Sequence, residues 1–386
     1  MSNIEKSKNK IKVAYWCPFL TNVATIKAVL NSVHGLVKYG SNSFRPIIIN
    51  SIGEFNNCQY ETISLNKTNF TKFLPKYGFL QSRFSYILIF LINFFSLKKF
   101  LRKEKPQFLI AHLITILPLV LNFFFKFETK FILRISGYPK LGIVRKFLWR
   151  LLLKKIYIVT TPTQLTYNLL VDNKIIDESK IIVLKDPVIK IRQISKSNFK
   201  TSQFNKKEEY YLAVGRLTKQ KNFEFLVKSY ASLETNKKLF IAGEGEEFDN
   251  LSKIIKEYNL VEKVKLIGFK ENIYEYFFNS SGFILSSLYE DPGFVIIEAA
   301  ALRKPILSSN CITGPIEFLK NGTNGYLFQN NSTSEFIKKF SLFENDSKNL
   351  KNEKIKRSFF NMREYTIFNH YKKISTILNK TYYLSS

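Results

Sequence analysis

The 386-residue sequence predicts an α/β protein of two Rossmann-like domains facing each other across a cleft. Three observations carry that expectation. From about residue 209 onward, short apolar runs alternate with amphipathic helical segments, as in a parallel sheet covered by helices on both faces. The first half opens with the same alternation, and the chain is long enough for two cores. Between the halves lies a polar stretch rich in Ser, Lys, Asn and Gln, which reads as a linker. The expected division is 1–190 for the first domain, 191–208 for the linker and 209–364 for the second.

In the first half the strand candidates are Ile11–Tyr15, Pro46–Ile49, Phe108–Ile110 and Phe131–Leu133. Tyr86–Leu97 is almost wholly apolar but only 12 residues long, against the ~20 that span a bilayer, so it reads as a buried helix. In Val144–Lys155 the apolar residues Phe147, Leu148, Leu151 and Leu152 share one helical face, while Lys146, Arg150 and Lys154 stack beside them. That pattern suits either a helix lying on an anionic membrane surface or an ordinary amphipathic helix on its own domain. In the second half Tyr211–Val214, Leu239–Ile241, Val264–Ile267, Phe283–Leu285 and Ile306–Leu307 read as strands. Tyr365–Tyr383 closes the chain with helical spacing at Phe368, Tyr371, Ile374 and Ile377.

Composition narrows the function classes. Lys plus Arg number 59 against 30 acids, a formal charge of +29 that attracts phosphate-bearing partners, anionic membrane or nucleic acid. Nucleic acid is not expected as a partner, because the cations gather in no tail, finger spacing or RNA-recognition motif. Part of the excess also fits an AT-rich genome. Cys17, Cys58 and Cys311 form no close pair, and His34, His112 and His370 lack metal-ligand spacing, so neither disulfides nor a metal are expected. The polar start Met1–Lys6 lacks a secretory apolar segment, which points to the cytoplasm.

Two constellations point to chemistry. In Glu290-Asp291-Pro292-Gly293-Phe294-Val295-Ile296-Ile297-Glu298, an E-x7-E segment follows the strand Phe283–Leu285. Asp291 reads as an N-cap and Pro292 as the first helical residue, with Glu298 about two turns into the helix. The backbone N–H groups of residues 293 to 295 then offer an anion site, and the acids accept hydrogen bonds from sugar or ribose hydroxyls. The alternative is a pair of solvated acids. Upstream, Tyr211–Val214 ends at Gly215-Arg216, followed by Lys221-Asn222, with Asn222 expected to cap a helix carrying Phe223, Leu226, Val227 and Tyr230. Arg216 and Lys221 suit a diphosphate at the carboxyl end of a strand, or are solvated loop cations. Gly243-Glu244-Gly245 reads as a tight turn, not as a dinucleotide fingerprint.

Residues 211–328 resemble the second domain of the family 4 retaining glycosyltransferases, which have the two-Rossmann GT-B fold. The resemblance rests on Gly215-Arg216-Leu217 with Lys221-Asn222-Phe223, on Leu239–Gly245, on Ser286–Gly293 running into Glu298-Ala299, and on Gly314-Pro315 with Glu317 and Asn321–Leu327. It implies that Arg216, Lys221 and Gly215 bind the diphosphate of a nucleotide sugar, and that Glu290 with Gly293, Phe294 and Val295 meets its sugar or phosphate. Glu298 would meet the ribose. His112 resembles a histidine that faces the donor sugar, and a satisfied core histidine is the alternative. Arg134-Ile135-Ser136-Gly137 is either an acceptor or phosphate contact or a turn.

Where the family has a Gly-Gly pair after the first strand, this chain has Pro18-Phe19-Leu20-Thr21-Asn22, which puts close approach of that loop to phosphate in doubt. By the resemblance Asp186-Pro187-Val188 is a hinge, and the C-terminal helix of residues 365–386 packs back on the first domain. The implied function is metal-independent, cofactor-free retaining transfer from a nucleoside-diphosphate sugar, as co-substrate, to a glycan or polyprenyl-linked acceptor. Bacterial surface polysaccharide assembly, such as O-antigen, capsule or lipopolysaccharide, is its setting, on the inner face of the plasma membrane. A nucleotide-sugar hydrolase or epimerase of the same fold, and a non-catalytic polyanion or anionic-membrane binder, are the alternatives.

Overall fold

The computed structural model describes residues 10–21, 24–75, 79–137, 142–196 and 208–382. They divide into two compact units, one of residues 1–187 with 367–386 and the other of 188–366. In the first unit seven parallel strands lie in the order β3-β2-β1-β4-β5-β6-β7. They are β1 (Ile11–Trp16), β2 (Phe44–Asn50), β3 (Thr62–Ser64), β4 (Phe108–Ala111), β5 (Lys130–Arg134), β6 (Ile158–Thr161) and β7 (Ile181–Val183). Side chains alternate across the sheet: Ile11, Val13 and Tyr15 pack with Ile48, Ile110 and Ile132, while Ala14 and Trp16 pack with Leu109, Leu133 and Val159 on the other face. Both faces are covered, as an all-parallel sheet requires.

The helices of this unit are α1 (Ala24–Tyr39), α2 (Phe79–Glu104), α3 (Ile116–Phe124), α4 (Ile143–Leu152) and α5 (Gln164–Asp172). Two expectations change here. The apolar run Tyr86–Leu97 is only the middle of α2, which has 26 residues. Its flanks carry Gln81, Arg83, Lys98, Lys99 and Arg102, good helix formers that extend the helix past the apolar stretch. Arg83–Glu104 is long and apolar enough to cross a membrane by length and composition, and only a third of its apolar window is buried. Nor is Val144–Lys155 uniform: α4 ends at Leu152 with a 3₁₀ turn after it, Leu152 and Leu153 are buried, and Ile143, Val144, Phe147 and Leu148 are exposed.

In the second unit six parallel strands run β10-β9-β8-β11-β13-β15, beside a separate pair β12-β14. The strands are β8 (Tyr210–Val214), β9 (Lys238–Ala242), β10 (Val264–Gly268), β11 (Gly282–Leu285), β12 (Tyr289–Glu290), β13 (Ile306–Ser309), β14 (Ile312–Thr313) and β15 (Tyr326–Phe328). Again the faces alternate, with Tyr211, Ala213, Leu239, Ile241 and Ile284 on one side and Tyr210, Leu212, Phe240, Phe283 and Leu285 on the other. The expected linker is only partly described: Ile191–Lys196 forms a short helix, α6, and 197–207 lie outside the described residues. Helices α7 (Phe223–Ala231), α8 (Phe248–Glu257), α9 (Ile273–Asn279), α10 (Phe294–Ala301), α11 (Gly314–Phe318), α12 (Thr333–Asn345) and α13 (Lys348–Met362) complete the unit. The last helix, α14 (Ile367–Tyr382), belongs to the first unit, where Ile374 and Leu378 are buried in the cluster around β1 and α1.

Candidate active site

Each sheet has a point where its strand order reverses, between β1 and β4 and between β8 and β11. Open α/β sheets bind ligands at the carboxyl ends of the strands at that point. Both groups of expected site residues follow those strand ends.

In the second unit β8 delivers Gly215 and Arg216, and β11 delivers Ser286, Ser287 and, four residues on, Tyr289-Glu290. The loop after β8 is braced by the loop after β9 through Gly215 N–H to the Ala242 carbonyl (3.0 Å), Leu217 N–H to the Glu244 carbonyl (2.8 Å) and Glu247 N–H to the Leu217 carbonyl (3.0 Å). A Cβ on Gly243 would lie 1.9 Å from the Gly215 carbonyl oxygen, and one on Gly245 2.3 Å from that of Leu217. Gly243 and Gly245 thus permit a backbone approach that no side chain allows, the tight-turn role expected of them.

Lys221 forms an ion pair with Glu290, and both side chains are nearly buried. The Lys221 stem lies against Gly215, where a Cβ would be 3.0 Å from Cδ and Cε. Ser286 Oγ donates to the Lys221 carbonyl at 2.8 Å, Ser287 Oγ donates to Glu290 Oε1 at 2.7 Å, and Thr313 Oγ1 donates to the Glu290 carbonyl. Gln220 Nε2 donates to the Tyr289 carbonyl at 2.9 Å, so the cation-bearing and acid-bearing loops are stitched together. Arg216, on the same loop, is exposed and has no side-chain partner among the described residues.

The helix after the acid differs from expectation. Its N-cap is Gly293 at φ +86°, a left-handed conformation suited to glycine, and the helical run begins at Phe294, not at Pro292. Asp291 is therefore not the cap, because pairing of Tyr289-Glu290 with Ile312-Thr313 keeps the chain extended until that turn. Glu298 is consequently the fifth residue of α10, a little over one turn in rather than two. It is buried and accepts from Tyr274 Oη at 3.3 Å. The first N–H groups of α10, at Phe294 and Val295, have no intrahelical carbonyl to bond. Asn222 is the N-cap residue of α7 as expected, but its side chain makes no capping bond: its φ is +55°, and its Nδ2 donates to Asn331 Oδ1 at 2.8 Å. The buried stripe Phe223, Leu226, Val227 and Tyr230 is as expected.

In the first unit His112 follows β4, fixed by its N–H to the Trp16 carbonyl (2.9 Å) and stacked near Tyr15. It is buried, and Nδ1 has no hydrogen-bond partner among the described residues. Burial, with Arg134 and His370 nearby, holds its pKa well below the ordinary 6.5, so the ring is neutral. His112 lines an open pocket of about 1170 Å³ with Phe19, Leu20, Ile135, Leu148 and Trp149, on the carboxyl side of β1, β4 and β5. Of the loop after β1, Asn22 lies outside the described residues, and Pro18–Thr21 line this pocket.

Arg134 makes a structural contact instead: it is buried and donates to the Leu184 carbonyl and to Asp186 Oδ1, both at 2.6 Å. Asp186 is pushed upward by burial, against the pull of Arg134. Beside them Tyr15, Ser32 and His370 form a chain, Tyr15 Oη to Ser32 Oγ (2.9 Å) and Ser32 Oγ to His370 Nε2 (2.9 Å), with His370 Nδ1 on the Lys185 carbonyl (2.8 Å).

Sequence reasoning overlooked Ser287, Gln220 and Thr313 as supports of the acid. The available signal was the pair Ser286-Ser287 directly after a buried strand, since small hydroxyls at a strand end are placed to bond the next turn. Thr313 carried none: it sits at φ +83°, unusual for a β-branched residue, because β14 turns there.

Residues 195–358 match the family model described as glycosyl transferases group 1. An uncharacterized glycosyltransferase of Methanocaldococcus jannaschii is 31% identical over 253 residues, covering 58% of this chain and 61% of that protein. An N-acetylgalactosamine-N,N'-diacetylbacillosaminyl-diphospho-undecaprenol 4-alpha-N-acetylgalactosaminyltransferase of Campylobacter jejuni is 31% identical over 220 residues, 57% of this chain and 58% of its own length. The chain thus spans about six-tenths of the length of these curated relatives. An Anabaena protein solved with UDP and glucose superimposes with a TM-score of 0.72 at 12% identity, covering 96% of this chain and all of that one. That likeness shows the GT-B fold expected above.

Proposed function

We propose that this chain, whose residues 195–358 match the model of the glycosyl transferases group 1 family, transfers a sugar from a nucleoside-diphosphate donor to a glycan or polyprenyl-linked acceptor in bacterial surface polysaccharide assembly. The observation that carries the reading is the junction of Lys221, Glu290 and the free N–H groups of Phe294 and Val295 at the reversal point of the second sheet, with the unpartnered Arg216 beside it. Cations and amides aimed at one place stabilise a departing diphosphate. Glu290 and Glu298 accept hydrogen bonds from the hydroxyls of the sugar and ribose. His112, held neutral and with Nδ1 unpartnered, is suited to bond a hydroxyl of the donor sugar.

Transfer proceeds with retention. The departing phosphate takes the acceptor proton on the same face of the sugar, so no separate protein base is needed. The diphosphate is held without metal or other cofactor, by Arg216, Lys221 and the amides. The enzyme works in the cytoplasm, in peripheral contact with the anionic inner face of the plasma membrane through the basic helix α4, and nucleic acid is not a partner. The Campylobacter relative, named for a diphospho-undecaprenol acceptor, supports the acceptor class.

The test is product analysis with UDP-, GDP- and ADP-sugars and a membrane extract as acceptor source. Release of nucleoside diphosphate that requires acceptor, persists in EDTA and gives an α-linkage from an α-linked donor is expected. Release without acceptor, or none in any combination, would overturn the reading.

A further inference from the structure

Helix α2 is apolar on two opposite sides. One side seats Ile89, Leu97, Phe100 and Leu101 in the first unit. The other carries Phe84, Ile87, Leu91 and Phe95, whose spacings of three and four residues place them on one line, and whose exposures run from 56% to 76%. A helix apolar around its circumference is ordinarily covered on all sides. Beyond Phe95 the exposed line turns basic, at Lys99, Arg102 and Lys103. Helix α4 repeats the pattern, with Ile143 90% exposed, Val144, Phe147 and Leu148 also exposed and Arg145 among them, while Lys146 donates to Asn173 Oδ1 and Arg150 to the Asn173 and Lys174 carbonyls. Helices α2, α3 and α4 together hold eight Lys and Arg side chains and one acid, Glu104. Tyr86 of α2, Ile116 of α3 and Ile143, Val144 and Leu148 of α4 wall the same 1170 Å³ pocket, so the three helices meet at its rim.

We propose that the outer line of α2, with the exposed start of α4, is a docking surface for a bilayer carrying anionic phospholipids, and that the pocket between them opens at the lipid surface. The inference rests on the peripheral contact proposed above, and names a second helix and the surface that make it. Charge selects the occupant: apolar residues set beside cations fit the boundary between acyl chains and anionic headgroups. The helix lies on the surface and does not span. Ser85 Oγ donates to the Pro75 carbonyl at 2.8 Å, Asn93 Oδ1 accepts from Asn66 at 3.0 Å, and Phe94 packs edge-on to Phe125, so its inner side is tied to the first unit.

The experiment is co-sedimentation of the full chain with vesicles of phosphatidylcholine alone or with phosphatidylglycerol. It needs no sugar substrate, so its failure is distinct from failure of the transferase reading. Wild type is expected to pellet with the anionic vesicles only, to be released by carbonate, and to lose at least about tenfold in partitioning when Ile87, Leu91 and Phe95 are changed to Ser. Thermal unfolding and nucleotide binding of the triple variant check its fold. Should it not fold, Leu91→Trp in the intact chain is expected to shift its emission to the blue with anionic vesicles alone. Wild type remaining in the supernatant, unchanged partitioning of a folded triple variant, resistance to carbonate, or a dimer that covers Leu91 without vesicle binding would each overturn the proposal.

Discussion

Replacing Glu290 with Gln should tighten the binding of a bare nucleoside diphosphate. In the ligand-free site the Lys221 ammonium is already engaged by Glu290, and the two side chains are only 13% and 9% exposed. A pair near 4 Å at an effective dielectric of about 20 is worth about 4 kcal/mol before desolvation is charged against it. A diphosphate must draw the same ammonium away and lie close to the remaining carboxylate. The neutral amide of Gln keeps an acceptor for Ser287 Oγ and removes that competition. We expect a net gain of about 1–2 kcal/mol, or about 5–30-fold in Kd. Turnover should fall in the same variant, because the carboxylate that accepts from the donor sugar is gone. Isothermal titration of UDP, GDP and ADP against wild type, Glu290→Gln, Lys221→Met and the double variant tests this. Lys221→Met should weaken binding, and adding Glu290→Gln to it should restore part of the loss, because the carboxylate left unpaired beside the phosphate is neutralised. Binding to Glu290→Gln equal to or weaker than wild type would refute the competition between carboxylate and phosphate for Lys221.

Two other outcomes follow from the geometry. Gly243→Ala would bring a Cβ to 1.9 Å from the Gly215 carbonyl, so the loop that presents Arg216 must move; a stability loss of about 2 kcal/mol or more, read by urea unfolding, with weaker nucleotide binding is expected. Acid should unfold the first unit through its histidines. His370 titrates near 3 in the folded chain, chiefly because burial opposes its charge, whereas the unfolded group titrates near 6.5. The unfolded state therefore takes up the proton first. Stability from this group is full above pH ~6.5 and is lost at about 1.4 kcal/mol per unit as pH falls towards 3. His112, shifted the same way, adds to the loss. Urea melts over this range should show a shallower slope for His370→Gln, and an unchanged slope would contradict the assignment.

What was legible in the sequence is what local pattern determines. The apolar runs at Val13, Leu109, Leu212 and Ile284 are strands buried on both faces, and both site loops follow such strands. The short strands β3 and β7, both partly exposed, and β15, buried at Tyr326 and Phe328, were not seen, because three residues give no period to read. Asn222 holds the N-cap position of α7, but its side chain is drawn to Asn331 instead of capping, and the cap expected at Asp291 was misplaced because the β12-β14 pairing outweighs capping preference there. The site's central pair, Lys221 with Glu290, joins residues 69 apart, and Arg134 with Asp186 joins residues 52 apart. Sequence supplies the charges; only the strand order that brings the loops together says which acid each cation meets. Arg134, a candidate ligand contact by its place after a strand, is spent on Asp186 for that reason.

The most direct test of the nucleotide-sugar site is a thermal-shift screen of the full chain against UDP, GDP and ADP, with and without EDTA, repeated on Arg216→Ala and Glu298→Ala. A ligand at 100 times its Kd adds about 2.7 kcal/mol of apparent stability. A shift with one of the three that survives EDTA and disappears in both folded variants is the predicted result. A shift that EDTA abolishes, or one that persists undiminished in Arg216→Ala and Glu298→Ala, would contradict the account.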